Sequence, residues 1–227
     1  FGTAPATHII KSVNKAFPGL AINELLCTRM AQACGLPAAD VELLGSNFDA
    51  VSVVRYDRQL SESLHAVSDL PIPLRLHQED MAQALGILPI DNYENSGNQY
   101  AEQMANLLRT WSSNPIRDLI QLCDLVIFDY LIGNCDNHLK NFSICYSSNW
   151  SERSLAPAYD RVSTVLYPDL VRTMGVAIGE TRKLDAISMR DFEEFANQLG
   201  ISPATVLERL DSLSSQVDSA MQTESAK

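Results

Sequence analysis

Gly133-Asn134-Cys135-Asp136-Asn137-His138-Leu139-Lys140-Asn141-Phe142-Ser143-Ile144 is a polar cluster wedged between an apolar run, Pro115 to Ile132, and an apolar strand-like piece, Phe142 to Tyr146. Hydrophilic residues concentrated at such a junction need a reason. One reading is chemical: Asp136 accepts the proton of an attacking hydroxyl, Asn141 offers a hard oxygen to Mg²⁺, and His138 or Lys140 touches phosphate or orients the aspartate. The other is a turn in which Asn134, Asp136 and Asn137 satisfy backbone amides, and an isolated D-x-x-x-x-N is more often that.

Three further segments bear on the choice. Ala156-Pro157-Ala158-Tyr159-Asp160-Arg161-Val162-Ser163 sets another carboxylate 19 residues beyond Asn141, just after a short extended piece. Asp160 suits a second metal ligand bridging to phosphate, or a turn aspartate. Lys11 ends the apolar strand Thr7-His8-Ile9-Ile10, where an ammonium could meet α- and β-phosphates, and Glu24 on the next helix could aim it. A solvated lysine and a surface glutamate are the ordinary alternatives. In Val53-Val54-Arg55-Tyr56-Asp57-Arg58, backbone groups could bond an adenine edge while Asp57 reaches a ribose hydroxyl; the plain alternative is a strand end with a salt bridge.

Periodicity orders the rest. Strands are predicted at His8–Ile10, Val41–Leu44 and Val51–Tyr56 around a helix from about Ala21 to Cys34, with Gly35 as its stop. Beyond Arg58 helices dominate: Glu79 to Leu85, Gln99 to Trp111, and Pro115 to Ile132. Strand-like pieces follow at Phe142–Tyr146 and near Leu155–Tyr159. Ser188 caps a helix with Met189, Phe192, Phe195 and Leu199 inward, and Ser202-Pro203 opens another. The polar stretch Ser214–Lys227 is expected to fray.

Composition narrows the function classes. The 227 residues are 46% hydrophobic, enough for one substantial core or two lobes meeting at a cleft. With 28 acidic and 17 basic side chains the net charge is −11, which disfavours direct binding to a nucleic-acid backbone. No apolar run approaches the roughly 20 residues of a membrane span, and no basic start precedes an apolar stretch, so a cytoplasmic location is expected. Five scattered cysteines suggest reduced core thiols rather than a disulfide framework or zinc site.

Taken in order, these segments resemble the HipA family of bacterial toxin serine/threonine kinases, including its shorter HipT members. The likeness rests on G-N-x-D-x-H-x-K-N-F-S, Y-D-x-x-S, H-I-I-K, N-E-x-x-C followed by A-x-x-x-G-L-P, V-x-R-Y-D-R, and Arg75-Leu76-His77-Gln78-Glu79-Asp80-Met81 with Ala84-Leu85-Gly86. It implies an α+β, protein-kinase-like two-lobed fold, with a small mixed N-lobe over 1–57 and a mostly helical C-lobe over 58–227. It also implies ATP and Mg²⁺ as cofactors. By position Lys11 resembles the phosphate-binding lysine, with Glu24 as its partner, Asp136 the catalytic base, and Asn141 and Asp160 the metal ligands. His138 and Lys140 are similar to catalytic-loop residues, and Val54, Tyr56 and Asp57 to the nucleotide hinge.

The implied substrate is a protein, an aminoacyl-tRNA synthetase whose phosphorylation arrests translation. The implied partners are a HipB-like antitoxin, which would supply the DNA contact, and a HipS-like small protein. Two departures stand out. The family's S-x-x-G-x-Q-x-K phosphate loop does not precede Lys11 within residues 1–10, and the N-terminal subdomain of longer members is not represented. A nucleotide- or partner-binding module impaired in catalysis is therefore the alternative expectation.

Overall fold

Alternating β-branched residues build the first sheet. In the computed structural model, which describes residues 6–12, 16–45, 50–60, 66–67, 70–95 and 97–224, β1 (His8–Ser12) runs antiparallel to β3 (Ala50–Val54). Strand β2 (Val41–Leu44) pairs with the other edge of β3, giving the order β1-β3-β2. Val51 and Val53 point from the central strand onto Ala21 and Ala39, with Val41 and Leu43 packed around them. Residues 1–5, in which the sequence holds no phosphate loop, lie outside the described residues.

Helix α1 (Leu20–Ala33) belongs to two cores. Ala21 packs on the sheet, whereas Cys27, Met30 and Ala31 enter the larger apolar cluster of the remaining chain. Its polar residues Asn23, Glu24 and Thr28 are buried as well, so the helix is covered on nearly every side.

A second antiparallel sheet follows, with β4 (Gln78–Asp80) and β6 (Arg153–Leu155) flanking β5 (Ser143–Tyr146). The helix predicted from Glu79 is reduced to α2 (Met81–Ala84), because residues 78–80 are taken by pairing with β5. Asp80 then caps the short helix, accepting from Gln83 N at 2.8 Å while Gln83 Oε1 accepts from Asp80 N at 3.1 Å. Beyond Leu155 the expected strand ends. Pro157 lacks a donor for a ladder, and Ala158 makes only a single parallel bridge, to Ala38.

The larger core is helical. In α3 (Tyr100–Trp111) the buried residues Tyr100, Ala101, Met104, Ala105 and Leu108 form one stripe, as the 3.6-residue period requires. Helix α4 (Pro115–Leu131) starts with proline behind the Asn114 cap and is buried almost all round through Leu122–Phe128. A hairpin the sequence reading did not separate, β7 (Thr173–Ile178) and β8 (Thr181–Lys183), turns at Gly179 with φ 61°. In α5 (Met189–Leu199) Phe192, Phe195 and Leu199 face inward as predicted, but Met189 in the first turn is 53% exposed.

Helix α6 (Pro203–Glu224) corrects the expectation of a frayed tail. Val217 and Ala220 continue the stripe set by Val206, Leu210 and Leu213 and are buried in the same core. No helix among the described residues is long and apolar enough to cross a membrane, and all five cysteines are unpaired. Val217→Asp should therefore cost about 2 kcal/mol or more in denaturant unfolding, because it buries a carboxylate among apolar neighbours. A change within about 0.5 kcal/mol would mark the last turns as solvated surface.

Candidate active site

The polar cluster after α4 is fixed by side chains of its own. Gly133, at φ 68°, turns the chain where a Cβ would come within 2.5 Å of Val165 Cγ2. Asn134 is buried; its Nδ2 donates to Asp129 Oδ1 at 2.8 Å and its Oδ1 accepts from Asp136 N at 3.1 Å. Asn137, also buried, accepts from Gly175 N at 2.7 Å and Val176 N at 3.2 Å, binding the loop to β7. The approach is so close that a Cβ on Gly175 would lie 2.6 Å from His138 N. The two asparagines thus act as the turn-formers of the plain reading, and in doing so they leave Asp136 half exposed at the loop's outer face.

Asn141 Nδ2 donates to the Asp136 carbonyl at 2.7 Å, which leaves its amide oxygen for another partner. His138 Nε2 lies 3.9 Å from Asp136 Oδ1, and its Nδ1 is buried without a hydrogen-bond partner among the described residues. Lys140 Nζ donates to Asp80 Oδ2 at 2.6 Å. Tyr93, which the sequence reading missed, donates its hydroxyl to Asp136 Oδ1, and its ring stands edge-on to His138 at 4.9 Å. Burial and then the Asp136 carboxylate push this phenol up, so it stays a donor. No local signal marks Tyr93, which sits 43 residues upstream in an ordinary polar loop.

The second carboxylate segment is anchored from within. Arg161 is fully buried, with Nη1 3.3 Å from Asp129 Oδ2, Nη2 donating to Asn141 O at 3.0 Å, and its guanidinium over the Phe142 ring at 4.8 Å. Its neighbour Asp160 is thrown the other way, at φ 55°, toward Lys11. Lys11 is ion-paired to both Asp160 and Glu24, the latter at 2.7 Å. Burial works against the Lys11 ammonium, but the charges of Asp160 and Glu24 outweigh it and hold it above the usual lysine range. Burial likewise raises Glu24, more than Lys11 draws it down.

A cavity of about 280 Å³ opens between the sheets, lined by Lys11, Val54, Tyr56, Asp57, Lys140 and Asp160 among others. Glu24 stands behind Lys11, while Asp136, His138 and Asn141 belong to the adjoining loop rather than to the cavity wall. At the hinge the structure departs from the expected contacts. Val54 N already donates to Asp40 O at 2.8 Å, so an adenine edge would not be met through that N–H. The Asp57 carboxylate is held by Arg55 at 2.8 and 2.7 Å and by Arg58 at 2.5 Å, the salt bridge of the plain alternative. Tyr56 stacks on Tyr159 at 5.5 Å and donates to Gln78 Oε1 at 2.5 Å. Burial pushes its pKa up to about 12.

The donor chemistry fits magnesium held with a nucleotide. Among the described residues no group of three or more His, Cys, Asp or Glu side chains could hold a metal. The hard oxygens available are the Asn141 amide and the Asp160 carboxylate. Two protein oxygens suit an ion that keeps water and phosphate in its other positions.

Residues 1–221 match the HipA-like C-terminal domain family. The chain is 37% identical over 208 residues to the putative kinase Y4mE of Sinorhizobium fredii, covering 91% of this chain and 47% of that protein. It is 26% identical over 231 residues to the serine/threonine-protein kinase toxin HipA of Shewanella oneidensis, covering 97% and 51%. A solved complex of Shewanella oneidensis HipA with HipB and operator DNA superposes with TM-score 0.83 at 25% identity, covering 96% of this chain and 51% of that one. The Helicobacter pylori proinflammatory kinase CtkA shares the fold, with TM-score 0.55 at 11% identity over 95% of this chain and 84% of that one. The chain thus spans about half the length of the first two relatives.

Burial raises the Asp129 carboxyl to about 6, although Arg161 and Asn134 pull it down. A carboxyl raised in the folded state contributes most below its unfolded value, near 3.8, and loses that contribution as pH climbs to about 6. Asp129→Asn should remove this slope from a plot of unfolding free energy against pH. It should also cost about 3–5 kcal/mol at neutral pH by stranding Arg161. An unchanged slope would place the titration elsewhere.

Proposed function

The chain belongs to the HipA-like C-terminal domain family, and we propose that it carries the phosphotransferase centre of a toxin serine/threonine kinase dependent on ATP and Mg²⁺. One observation carries the reading: Lys11, Glu24 and Asp160 converge in a charge network at the cavity wall, beside a loop that presents Asp136. We place the division between the lobes near residue 57.

Bound Mg²⁺ and ATP supply the transferable phosphoryl group and neutralise its charge. Lys11 holds phosphate oxygens, and buried Glu24 keeps its ammonium aimed into the cavity. Asn141 and Asp160 offer oxygens to the metal, and Arg161 keeps their backbones in register. Asp136 accepts the proton from the attacking serine or threonine hydroxyl. Lys140, tethered to Asp80, sets positive charge at the floor, and His138 supports the loop through Tyr93 and Asp136. The hinge contributes the enclosing wall at Val54 and Tyr56, with Asp57 bracing it through arginine.

The substrate we propose is a protein, an aminoacyl-tRNA synthetase in the cytoplasm. The toxin assignment is supported by the name of the Shewanella oneidensis relative and by the complex of that HipA with HipB and DNA. A HipB-like antitoxin is the corresponding partner here, with a HipS-like protein as a further one. The net charge of −11 agrees with leaving DNA contacts to the antitoxin.

Asp136→Asn should lower transfer of labelled γ-phosphate to protein by about 10²–10⁴-fold with the circular dichroism spectrum unchanged. Transfer at the unsubstituted rate would remove Asp136 as base. If ATP raises the melting temperature but the unsubstituted chain transfers no phosphate, it is a binding module instead.

Tyr93 donates the hydrogen bond that an acceptor hydroxyl must make to Asp136, so substrate has to displace it. Tyr93→Phe should lower the KM for the protein acceptor several-fold, within the factor of about 10 that a bond to a charged group represents. The KM for ATP should not move, and a raised acceptor KM would show that the phenol helps to bind substrate.

A further inference from the structure

A second cavity, of about 530 Å³, lies against the far side of the hinge. Its wall holds Arg55, Arg58 and Arg75 together with His77, Ser147 and Trp150. In a chain of net charge −11, three arginines on one concavity are unexpected. Asp57 is the one carboxylate in the wall among the described residues. It is only 5% exposed and sits behind Arg55 and Arg58, fixing their guanidinium planes while neutralising a single charge.

The backbone intensifies the concentration of charge. Arg58 and Arg75 are direct partners in an antiparallel pair, Arg58–Gln59 with Leu74–Arg75. Like charges placed opposite each other destabilise a strand pair; Asp57 offsets Arg58, whose Nη1 donates to its Oδ2 at 2.5 Å, but not Arg75. Arg75 is exposed and has no acidic partner among the described residues.

Trp150 supplies an independent pointer. It holds φ at 63° in the turn between β5 and β6, a conformation L side chains rarely adopt, and yet its indole is 61% exposed. One face stacks on His77 at 4.7 Å and 18°. Backbone strain that presents an aromatic face to solvent is a feature of ligand sites. A free arginine fork such as that of Arg75 binds phosphate bidentately, and stacked rings accept a base.

We propose that this cavity binds a nucleoside 5′-phosphate, the phosphate at exposed Arg75 and the outer edge of Arg55, with buried Arg58 and Asp57 bracing them from behind, and the base against the Trp150–His77 stack. The volume lies within the range of small-molecule sites. Charge excludes the other source of stacked bases, because a polynucleotide would meet the acidic remainder of the surface. Arg55, Asp57 and Gln78 line this cavity and the Lys11 cleft alike, so the two sites share a wall. The assignment does not depend on phosphoryl transfer, and its test involves no turnover.

Trp111 and Trp150 are the only tryptophans, so in a Trp111→Phe background the fluorescence belongs to Trp150 alone. AMP should quench it saturably, and Arg75→Glu should weaken that binding at least tenfold. Calorimetry with AMP on the chain with its tryptophans intact should show the same loss in Arg75→Glu, which makes the result independent of the Trp111 substitution. Inorganic phosphate should compete without quenching. AMP binding unaffected by Arg75→Glu in both measurements, or a phosphoserine peptide binding in an Arg75-dependent way where AMP does not, would overturn the proposal.

Discussion

The buried contact between Arg161 and Asp129 holds the site together. An ion pair out of water is costly to form, and this one is a 3.3 Å charge contact in which Asp129 Oδ2 and Arg161 Nη1 make no hydrogen bond among the described residues. Here one carboxylate serves two segments. Asp129 accepts from Asn134 at the start of the polar loop and faces Arg161, which reaches the carbonyl of Asn141 at the loop's end. Because Asp160 immediately precedes Arg161, a charge buried inside determines where two candidate metal ligands stand outside.

Helix α1 extends that constraint to the first sheet. Asn23 Nδ2 donates to Ser163 O at 2.9 Å and its Oδ1 accepts from Ser163 N at 2.8 Å, a pair of hydrogen bonds like those between peptide groups but made by a side chain. The segment carrying Asp160 is therefore gripped at Arg161 by the helical core and at Ser163 by α1. One residue after Asn23 comes Glu24, which aims Lys11. The position of the lysine relative to Asp160 follows from this shared helix, whose residues enter both apolar clusters.

Much of this was legible where polarity breaks an apolar pattern. Lys11 and Asp160 each close a short apolar piece, and Asp136 and Asn141 sit in the polar break between two apolar runs, so residue type and place coincide. Asp129 and Arg161 were not legible: one reads as a polar position on a helix, the other as a flank of Asp160, and only the fold brings them together across 32 residues. Tyr93 is silent for the same reason. Asp57 shows the opposite failure, since Arg55 and Arg58 on either side already favoured a salt bridge over a ribose contact. The tail misled because Ser214, Ser215 and Gln216 dominate the eye, while Leu210, Leu213, Val217 and Ala220 keep helical spacing beneath them.

Solvation would decide which of the two carboxylates gives Lys11 up to a phosphate in the proposed site. The Asp160 side chain is 45% exposed, whereas that of Glu24 is 5% exposed. A pair open to water contributes only about 0–1 kcal/mol, because solvent takes over the freed charge almost as well. Separating Lys11 from Glu24 would leave a carboxylate uncompensated in a buried place, which is far more costly. In the proposed site Lys11 would therefore give up Asp160 for a phosphate oxygen while keeping Glu24, and the exposed aspartate would be free to serve as a metal ligand. The asymmetry in burial makes the buried glutamate the fixed arm of the triad and leaves the exposed aspartate as the arm that can part from Lys11 at little cost.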